Sequence, residues 1–232
     1  FFNRGILATQ STADFIWDPA HEKPDFDKLT REINDPASKL RARLMGQHFA
    51  ALTQLLGRAA TEGGSCWASL YELTDQELID KLHACKDLHL ILSNNNSEDL
   101  YDGQNKPAAD RLKETASELY RRYMPTGQIG HNKFVVYKDK DNKPTAVLTG
   151  STNWTATGLC TQSNNAIIIE NTELAEFYLE YWDNLKADAL AAVIPDKAAP
   201  MKKIQGANLR ETCAKKRKTL AFDDGSTIRV WF

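Results

Sequence analysis

The chain has 232 residues with a formal net charge of −2 at pH 7, and 42% of its residues are hydrophobic. This length and hydrophobic content suffice for one large domain with a proper core, alone or with additional segments. The near-zero net charge excludes a strong overall basic field for nucleic acid, and no apolar run has the length of a membrane span or the character of a signal peptide. Because the chain starts with Phe1 and not with Met, we expect it to be part of a longer protein.

The first 63 residues are predicted to form a helical segment. Apolar residues at helical spacing predict a helix over residues 6–17, which Pro19 ends, and a charged loop follows to residue 35. A longer amphipathic pattern predicts one helix over residues 36–61, closed by Gly63 and Gly64. We interpret its apolar stripe as a surface that packs on a core, in preference to a partner surface.

Strands and helices alternate between residues 64 and 187. The predicted strands cover residues 65–71, 88–92, 127–137, 145–149 and 166–169, and the predicted helices cover residues 74–84, 106–123 and 172–185. This alternation predicts an α/β fold, an α/β/α sandwich with a mixed β-sheet, preceded by the helical segment. The apolar strand over residues 166–169 is expected at the centre of the sheet, and residues 93–97 are expected in a polar loop.

Residues 188–232 differ in composition from the alternating part. Prolines and alanines indicate a linker, and a hairpin is predicted towards Phe232. We interpret this segment as a linker followed by a further hairpin or the start of a second module. A basic run from Lys215 to Lys218 suits either a phosphate backbone or a solvated strand edge.

Two polar motifs flank the predicted hairpin of residues 127–149. His131, Asn132 and Lys133 precede its first apolar run, and Gly150 to Asn153 follow its second strand. Because side chains alternate along a strand, His131 and Lys133 are expected on one face and Asn132 on the other. The turn between the strands then brings the second motif back beside the first.

These residue types suit chemistry on a phosphodiester. A lysine ammonium and an amide donor neutralise charge on phosphate oxygens, and a histidine nitrogen attacks phosphorus or protonates the leaving oxygen. We therefore predict His131, Lys133, Asn153 and Ser151 as catalytic residues. Each residue alone has a structural role more often than a catalytic one, and it is their combination at adjacent strand ends that favours a site.

The order HxK, GSxN and an Asn-rich strand start resembles the phospholipase D superfamily. The match rests on His131, Lys133, Gly150, Ser151, Asn153 and the later run from Ser163 to Ala166. The resemblance covers residues 64–186 and implies a phospholipase D-like module over residues 64–187. It also implies a metal-independent phosphodiesterase that acts through a phosphohistidine intermediate, with no metal and no cofactor.

One position departs from this pattern. The family usually has an Asp five residues after the motif lysine, and Lys138 stands there in this chain. Some nuclease members of the family also lack the Asp, so the resemblance implies nucleic acid as substrate. Two alternatives stay open: a phospholipase D acting on phospholipid headgroups, and a non-catalytic binding module that has kept the fold.

Three further residues are candidates for substrate binding. Asn165 belongs to the Asn-rich strand start, Asn94 follows a predicted buried strand, and Glu72 follows another. Strand ends are where α/β sheets place ligand loops. Glu72 is also a candidate to hydrogen-bond the imidazole of His131, while turn residues such as Asn94 need no function.

The sequence contains one HxK motif, whereas the resemblance implies a site built from two. We expect the second motif from a homodimer partner or from a C-terminal module beyond residue 232, and we favour the module. The four cysteines show no CxxC spacing, which favours buried free thiols and indicates, weakly, a reducing, cytoplasmic location. The other histidines have no zinc-ligand spacing with the cysteines.

Overall fold

The computed structural model describes residues 1–5, 8–97, 100–101, 105–124, 129–191, 209, 212–213 and 215–232. In these residues the helices are α1 (Thr9–Ile16), α2 (Phe26–Asn34), α3 (Lys39–Met45), α4 (His48–Glu62), α5 (Gln76–His83), α6 (Lys106–Leu112), α7 (Ala156–Cys160) and α8 (Thr172–Ala191). The strands are β1 (Trp17–Asp18), β2 (Lys23–Pro24), β3 (Ser65–Leu70), β4 (Leu88–Ser97), β5 (Leu100–Tyr101), β6 (Glu118–Met124), β7 (Lys133–Lys138), β8 (Pro144–Gly150), β9 (Ala166–Glu170), β10 (Arg217–Ala221) and β11 (Thr227–Trp231).

A mixed sheet forms the middle layer. Its strands lie in the order β6, β4, β3, β7, β8, β9, and the short β5 pairs with the end of β4. The pairs of β4 with β6 and with β3 are parallel, and the pairs from β3 through β7 and β8 to β9 are antiparallel. Strands β1 and β2, and strands β10 and β11, form two separate antiparallel pairs.

Side chains of the central strands alternate between two cores, as period two requires. Val135 and Tyr137 of β7 pack into a core shared with residues of α3 to α7. Phe134 and Val136 pack on the opposite face against α8, and the hairpin of β10 and β11 joins that side through Leu220. The predicted α/β/α sandwich with a mixed sheet is therefore confirmed. No helix in the described ranges is long and apolar enough to cross a membrane.

The helix predicted over residues 36–61 is two helices. Ser38 caps α3 by accepting hydrogen bonds from the backbone N–H groups of Leu40 and Arg41. Gly46 ends α3 with φ of 55°, a left-handed value that favours glycine, and α4 starts at His48. The apolar pattern continues across this break because both helices pack on the same core. Residues 6–7, with which the first predicted helix begins, lie outside the described residues.

The helix predicted over residues 106–123 is wrong in its second half. Helix α6 ends at Leu112, and residues Glu118–Met124 form β6, which pairs in parallel with β4 from His89 to Asn95. The pairing with an open sheet edge outweighs a weak local helical pattern, since strand preference depends strongly on tertiary context. The same pairing extends β4, so Asn94 lies in a strand and not in the predicted loop.

The apolar strand β9 lies at the end of the sheet, not at its centre. It pairs with β8, and Ile167 is 48% exposed. On its other side, the N–H of Ala166 donates to the Phe1 carbonyl at 2.9 Å, and the Phe1 ammonium donates to the Ala166 carbonyl at 2.8 Å. The beginning of the chain thus covers the end of this strand next to the second polar motif.

Arg41 joins α3 to the start of α5. Its guanidinium is 1% exposed, and its Nη2 lies 2.8 Å from Asp75 Oδ2 and 2.7 Å from Glu77 Oε2. Asp75 caps α5 by accepting from the Leu78 N–H, and its own N–H donates to the Trp154 carbonyl at 3.1 Å. The buried Arg41–Asp75 pair and the partly exposed Arg41–Glu77 pair therefore hold the start of α5 against the loop that follows β8.

We expect Arg41→Leu to lower the free energy of unfolding by about 3–5 kcal/mol, because it leaves the buried Asp75 carboxylate without its cation. Urea denaturation measures the change. Arg43→Leu changes an exposed arginine of the same helix and is expected to alter stability by about 0.5 kcal/mol or less. Equal effects of the two substitutions would contradict a structural role of the buried pair.

Candidate active site

The first motif stands at the start of β7, before the sheet pairing begins. Lys133 is the first residue of β7 and pairs with Leu70 of β3. His131 precedes the strand, and residues 127–128 of the predicted strand lie outside the described residues. The Asn132 side chain accepts a hydrogen bond from the Tyr181 hydroxyl of α8 at 3.0 Å, so it faces the α8 layer.

His131 and Lys133 lie against the same side chain, Tyr71, which follows β3. The His131 and Tyr71 rings are 4.8 Å apart with an interplanar angle of 62°. Lys133 Nζ lies 5.1 Å from the centre of the Tyr71 ring and 3.3 Å from the His131 carbonyl oxygen, to which it donates. The imidazole and the ammonium of the motif therefore come together beside one aromatic ring.

The second motif is connected to the first through Glu72, the residue after Tyr71. The Asn153 amide donates from Nδ2 to Glu72 Oε2 at 2.6 Å, and the Trp154 N–H donates to the Glu72 carbonyl at 2.9 Å. A bridge between Leu73 and Trp154 continues this contact. Glu72 also interacts electrostatically with Lys133 and with His131. One cluster thus contains the imidazole of His131, the ammonium of Lys133, the carboxamide of Asn153 and the carboxylate of Glu72.

Burial and charge shift both titratable groups of the motif. Lys133 is 8% exposed, and burial lowers the pKa of its ammonium to about 8, with Glu72 acting in the opposite direction. Burial, and then the Lys133 charge, lower the pKa of His131, and Glu72 again opposes them. The lowered pKa of His131 favours a neutral imidazole at neutral pH, the form that is nucleophilic.

Ser151 supports the loop of the second motif. Its Oγ donates to Asn164 Oδ1 at 2.9 Å and accepts from the Asn165 N–H at 3.0 Å. The Asn165 carbonyl accepts from the Ser151 N–H at 3.1 Å, and the Asn165 side chain is exposed. The structure therefore places Ser151 and Asn165 next to each other at the sheet end that carries the motifs.

Asn94 occupies a different environment from the one its predicted loop position implied. It lies in β4 with 2% exposure, and its Nδ2 has no hydrogen-bond partner in the part of the chain that the structure describes. Lys138 lies at the other end of β7 from His131, with Nζ 4.5 Å from the centre of the Trp67 ring. Five residue steps along the strand, at ~3.3 Å each, separate this position from Lys133. Glu72, and not a residue at position 138, supplies the carboxylate beside the imidazole.

Two residues that contact the motif loops were missed at the sequence level. Asn105 Oδ1 accepts from the Leu73 N–H at 2.9 Å, and its Nδ2 donates to the carbonyls of Tyr71 and Ser93 at 2.7 Å each. His48 is fully buried on α4, and its Nε2 lies 2.6 Å from Thr152 Oγ1. His48 stands within an amphipathic helical pattern and Asn105 directly precedes another, and nothing in their local sequence marks contacts with residues so distant in the chain.

A cleft of about 710 Å³ opens beside His131. Arg122, Ile129, Tyr181 and Phe232 contribute to its walls. In the described residues, no three His, Cys, Asp or Glu side chains are grouped as a metal site requires. The four cysteines are free and buried, as the sequence predicted.

Comparisons with known proteins cover the same part of the chain. A family model described as "Cardiolipin synthase, PLD-like domain" matches residues 52–186. Phospholipase D of Rickettsia conorii is 46% identical over 59 residues, and that of Rickettsia bellii is 41% identical over 59 residues. Each of these matches covers 25% of this chain and 27% of the relative, so the chain matches less than a third of either relative's length.

Solved structures with a similar arrangement include two bacterial proteins. Nuc from Salmonella typhimurium, a phospholipase D family member, has a TM-score of 0.45 and 21% identity, over 58% of this chain and 85% of that one. NucT from Helicobacter pylori has a TM-score of 0.48 and 13% identity, over 61% of this chain and 90% of that one.

We expect Glu72→Gln to lower the pKa of both His131 and Lys133, because the Glu72 carboxylate favours their protonated forms. NMR titration of the histidine side-chain signals measures the effect on His131. Glu114→Gln, which removes an exposed carboxylate outside the site, serves as the control and is expected to leave the His131 titration unchanged. An unchanged His131 titration in Glu72→Gln would contradict the electrostatic contact between the two groups.

Proposed function

The chain belongs to the family of phospholipase D-like domains, and from that premise we propose that it is a phosphodiesterase that cleaves nucleic acid through a phosphohistidine intermediate. The observation that carries the proposal is the group of His131, Lys133 and Asn153 around Tyr71 and Glu72. These side chains supply a nucleophile and two donors for one anionic phosphate.

In the proposed first step, a neutral nitrogen of His131 attacks phosphorus. The bond from phosphorus to the leaving oxygen breaks, a phosphohistidine forms, and the leaving oxygen takes a proton from a general acid. Lys133 and the Asn153 amide hold the non-bridging oxygens, whose charge develops in the transition state. Water then gives a proton to the group that acted as the acid and attacks the phosphohistidine, so that the bond from phosphorus to His131 breaks and the phosphate monoester and the neutral imidazole are released.

The titration of Lys133 agrees with this role. A pKa of about 8 keeps the ammonium as the major form at pH 7. A bound phosphate adds a negative charge beside it and favours that form further. Glu72 accepts a hydrogen bond from the Asn153 amide at 2.6 Å, and its charge favours the cationic imidazole that forms when His131 bonds to phosphorus. Ser151 keeps the loop in place through Asn164 and Asn165.

We propose nucleic acid as the substrate because the absent motif Asp and the run GSTNWT resemble nuclease members of the family. The hairpin of β10 and β11 adds a groove lined by Lys215, Arg217, Arg229 and other residues, which suits a polyanion. Phospholipid headgroups are the second candidate, favoured by the 46% identity to a Rickettsia phospholipase D.

A second HxK motif is needed to complete the proposed site. In-line displacement places the attacking and leaving atoms on opposite sides of phosphorus, and a single imidazole does not reach both. We propose that a further module of the same polypeptide supplies the acid, and a second copy of this chain is the alternative source.

We expect His131→Asn to lower turnover on the order of 10³-fold or more in the protein at its full native length, because the nucleophile is lost. Plasmid DNA, single-stranded DNA, RNA and phosphatidylcholine vesicles are assayed in parallel, with and without EDTA. His21→Asn, an exposed histidine outside the site, is the matched control and keeps full activity. Undiminished turnover in His131→Asn, or complete loss in EDTA, contradicts the mechanism, and cleavage of phosphatidylcholine alone contradicts the substrate.

We expect residues 1–232 alone to be a monomer that reacts once with bis(4-nitrophenyl) phosphate. The nitrophenolate leaving group of this substrate needs no general acid, so attack by His131 forms the phosphohistidine and releases one equivalent of nitrophenolate. Nucleic acid is not cleaved, because its leaving oxygen needs the missing acid. Light scattering gives the molar mass, and mass spectrometry after an alkaline quench detects the modified histidine. If residues 1–232 instead form a dimer with steady turnover, the second HxK motif comes from a second copy of this chain and not from a further module.

A further inference from the structure

Few contacts hold the backbone on which His131 is carried. The pairing of β7 with β3 starts at Lys133, and the described residues just before it, 129–132, belong to no strand. Among the described residues, three hydrogen bonds act there: the Asn132 N–H to the Gly130 carbonyl at 2.9 Å, Lys133 Nζ to the His131 carbonyl at 3.3 Å, and the Tyr181 hydroxyl to Asn132 Oδ1 at 3.0 Å. The third comes from outside the motif and connects it to α8.

Tyr181 is itself held in place from two sides. The Phe232 ring stacks on it at 4.0 Å with an interplanar angle of 5°, and the Phe134 ring lies 5.9 Å away at 35°. Stacked and tilted aromatic pairs of this kind limit ring rotation and exclude water. Burial raises the pKa of the Tyr181 phenol, so the hydroxyl keeps its proton at neutral pH and stays a donor.

We propose that Tyr181 is a positioning residue for His131, acting through its hydrogen bond to Asn132. The inference rests on the proposed function, since it assigns a role in the same reaction. Asn132 lies between His131 and Lys133, so fixing its side chain on the α8 face directs its two neighbours to the opposite face, against Tyr71. Phe232 holds the Tyr181 ring, which connects the C-terminal hairpin to the motif.

The hydroxyl distinguishes this role from simple packing. Packing between Phe134 and Phe232 requires only the ring, and phenylalanine supplies the same ring. The hydrogen bond to Asn132 requires the oxygen. Because catalytic groups act only within narrow limits of distance and angle, a loss of the bond is expected to lower the rate of the chemical step with little effect on substrate binding.

We expect Tyr181→Phe to reduce kcat by ~10- to 100-fold with KM within about twofold and an almost unchanged melting temperature. Asn132→Ala is expected to have a similar effect, and the double variant is expected to lose no more than either single variant, because both remove one interaction. Tyr120→Phe, on β6 next to Trp182, removes a hydroxyl from the same face of the sheet and is expected to keep wild-type kcat. Wild-type kcat in Tyr181→Phe, or multiplying effects in the double variant, would overturn the positioning role.

A second readout separates this inference from the proposed function. The His131 imidazole signals in an NMR titration are expected to shift in Tyr181→Phe and to stay unchanged in Tyr120→Phe. Absence of turnover in the wild-type protein at its full native length would refute the proposed function, whereas an unshifted His131 signal in Tyr181→Phe would refute the positioning role whether or not the protein turns over substrate.

Discussion

The antiparallel register of β3 on β7 is the constraint on which the candidate site depends. It sets Leu70 opposite Lys133, so that Tyr71 and Glu72, which follow β3, lie next to His131, which precedes β7. A slip by one residue would turn Lys133 towards α8 and Asn132 towards the other core, because side chains alternate with period two. The buried residues of β7, divided between two cores, make such a slip costly. Packing far from the motif therefore determines which polar groups meet.

Charge balance at the site follows from this register. Lys133 is buried beside a ring and a carbonyl, and Glu72 is the carboxylate that interacts with both it and His131. The same carboxylate binds the Asn153 amide, so one acidic group links the two motifs. Lys138 lies at the far end of β7, so the carboxylate that interacts with the imidazole comes in this chain from the loop after β3 and not from the motif strand.

Periodicity was sufficient to predict the parts of the site that lie on neighbouring strands. The hairpin of β7 and β8 and the opposite orientations of Asn132 and Lys133 follow from alternation and a polar turn, and the structure confirms them. The strand β6 was missed because its residues also suit a helix, and its pairing partner is distant in sequence. The contacts of Asn105 and His48 join elements far apart in the chain, which a local pattern does not encode.

The helices on both faces of the sheet contact the motif loops, and on each face the contact is made by an uncharged side chain. On one side Tyr181 donates to Asn132, and on the other His48 contacts Thr152. The Thr152 hydroxyl donates to the Asn165 carbonyl, so His48 Nε2 must carry the proton that it shares with Thr152, and its Nδ1 is left bare. Burial lowers the pKa of His48 to about 4, which fits a buried Nδ1 that, among the described residues, has no acceptor to which it could donate a second proton. Both supports are uncharged, so they add no charge to that of Lys133, His131 and Glu72, the titratable groups of the candidate site.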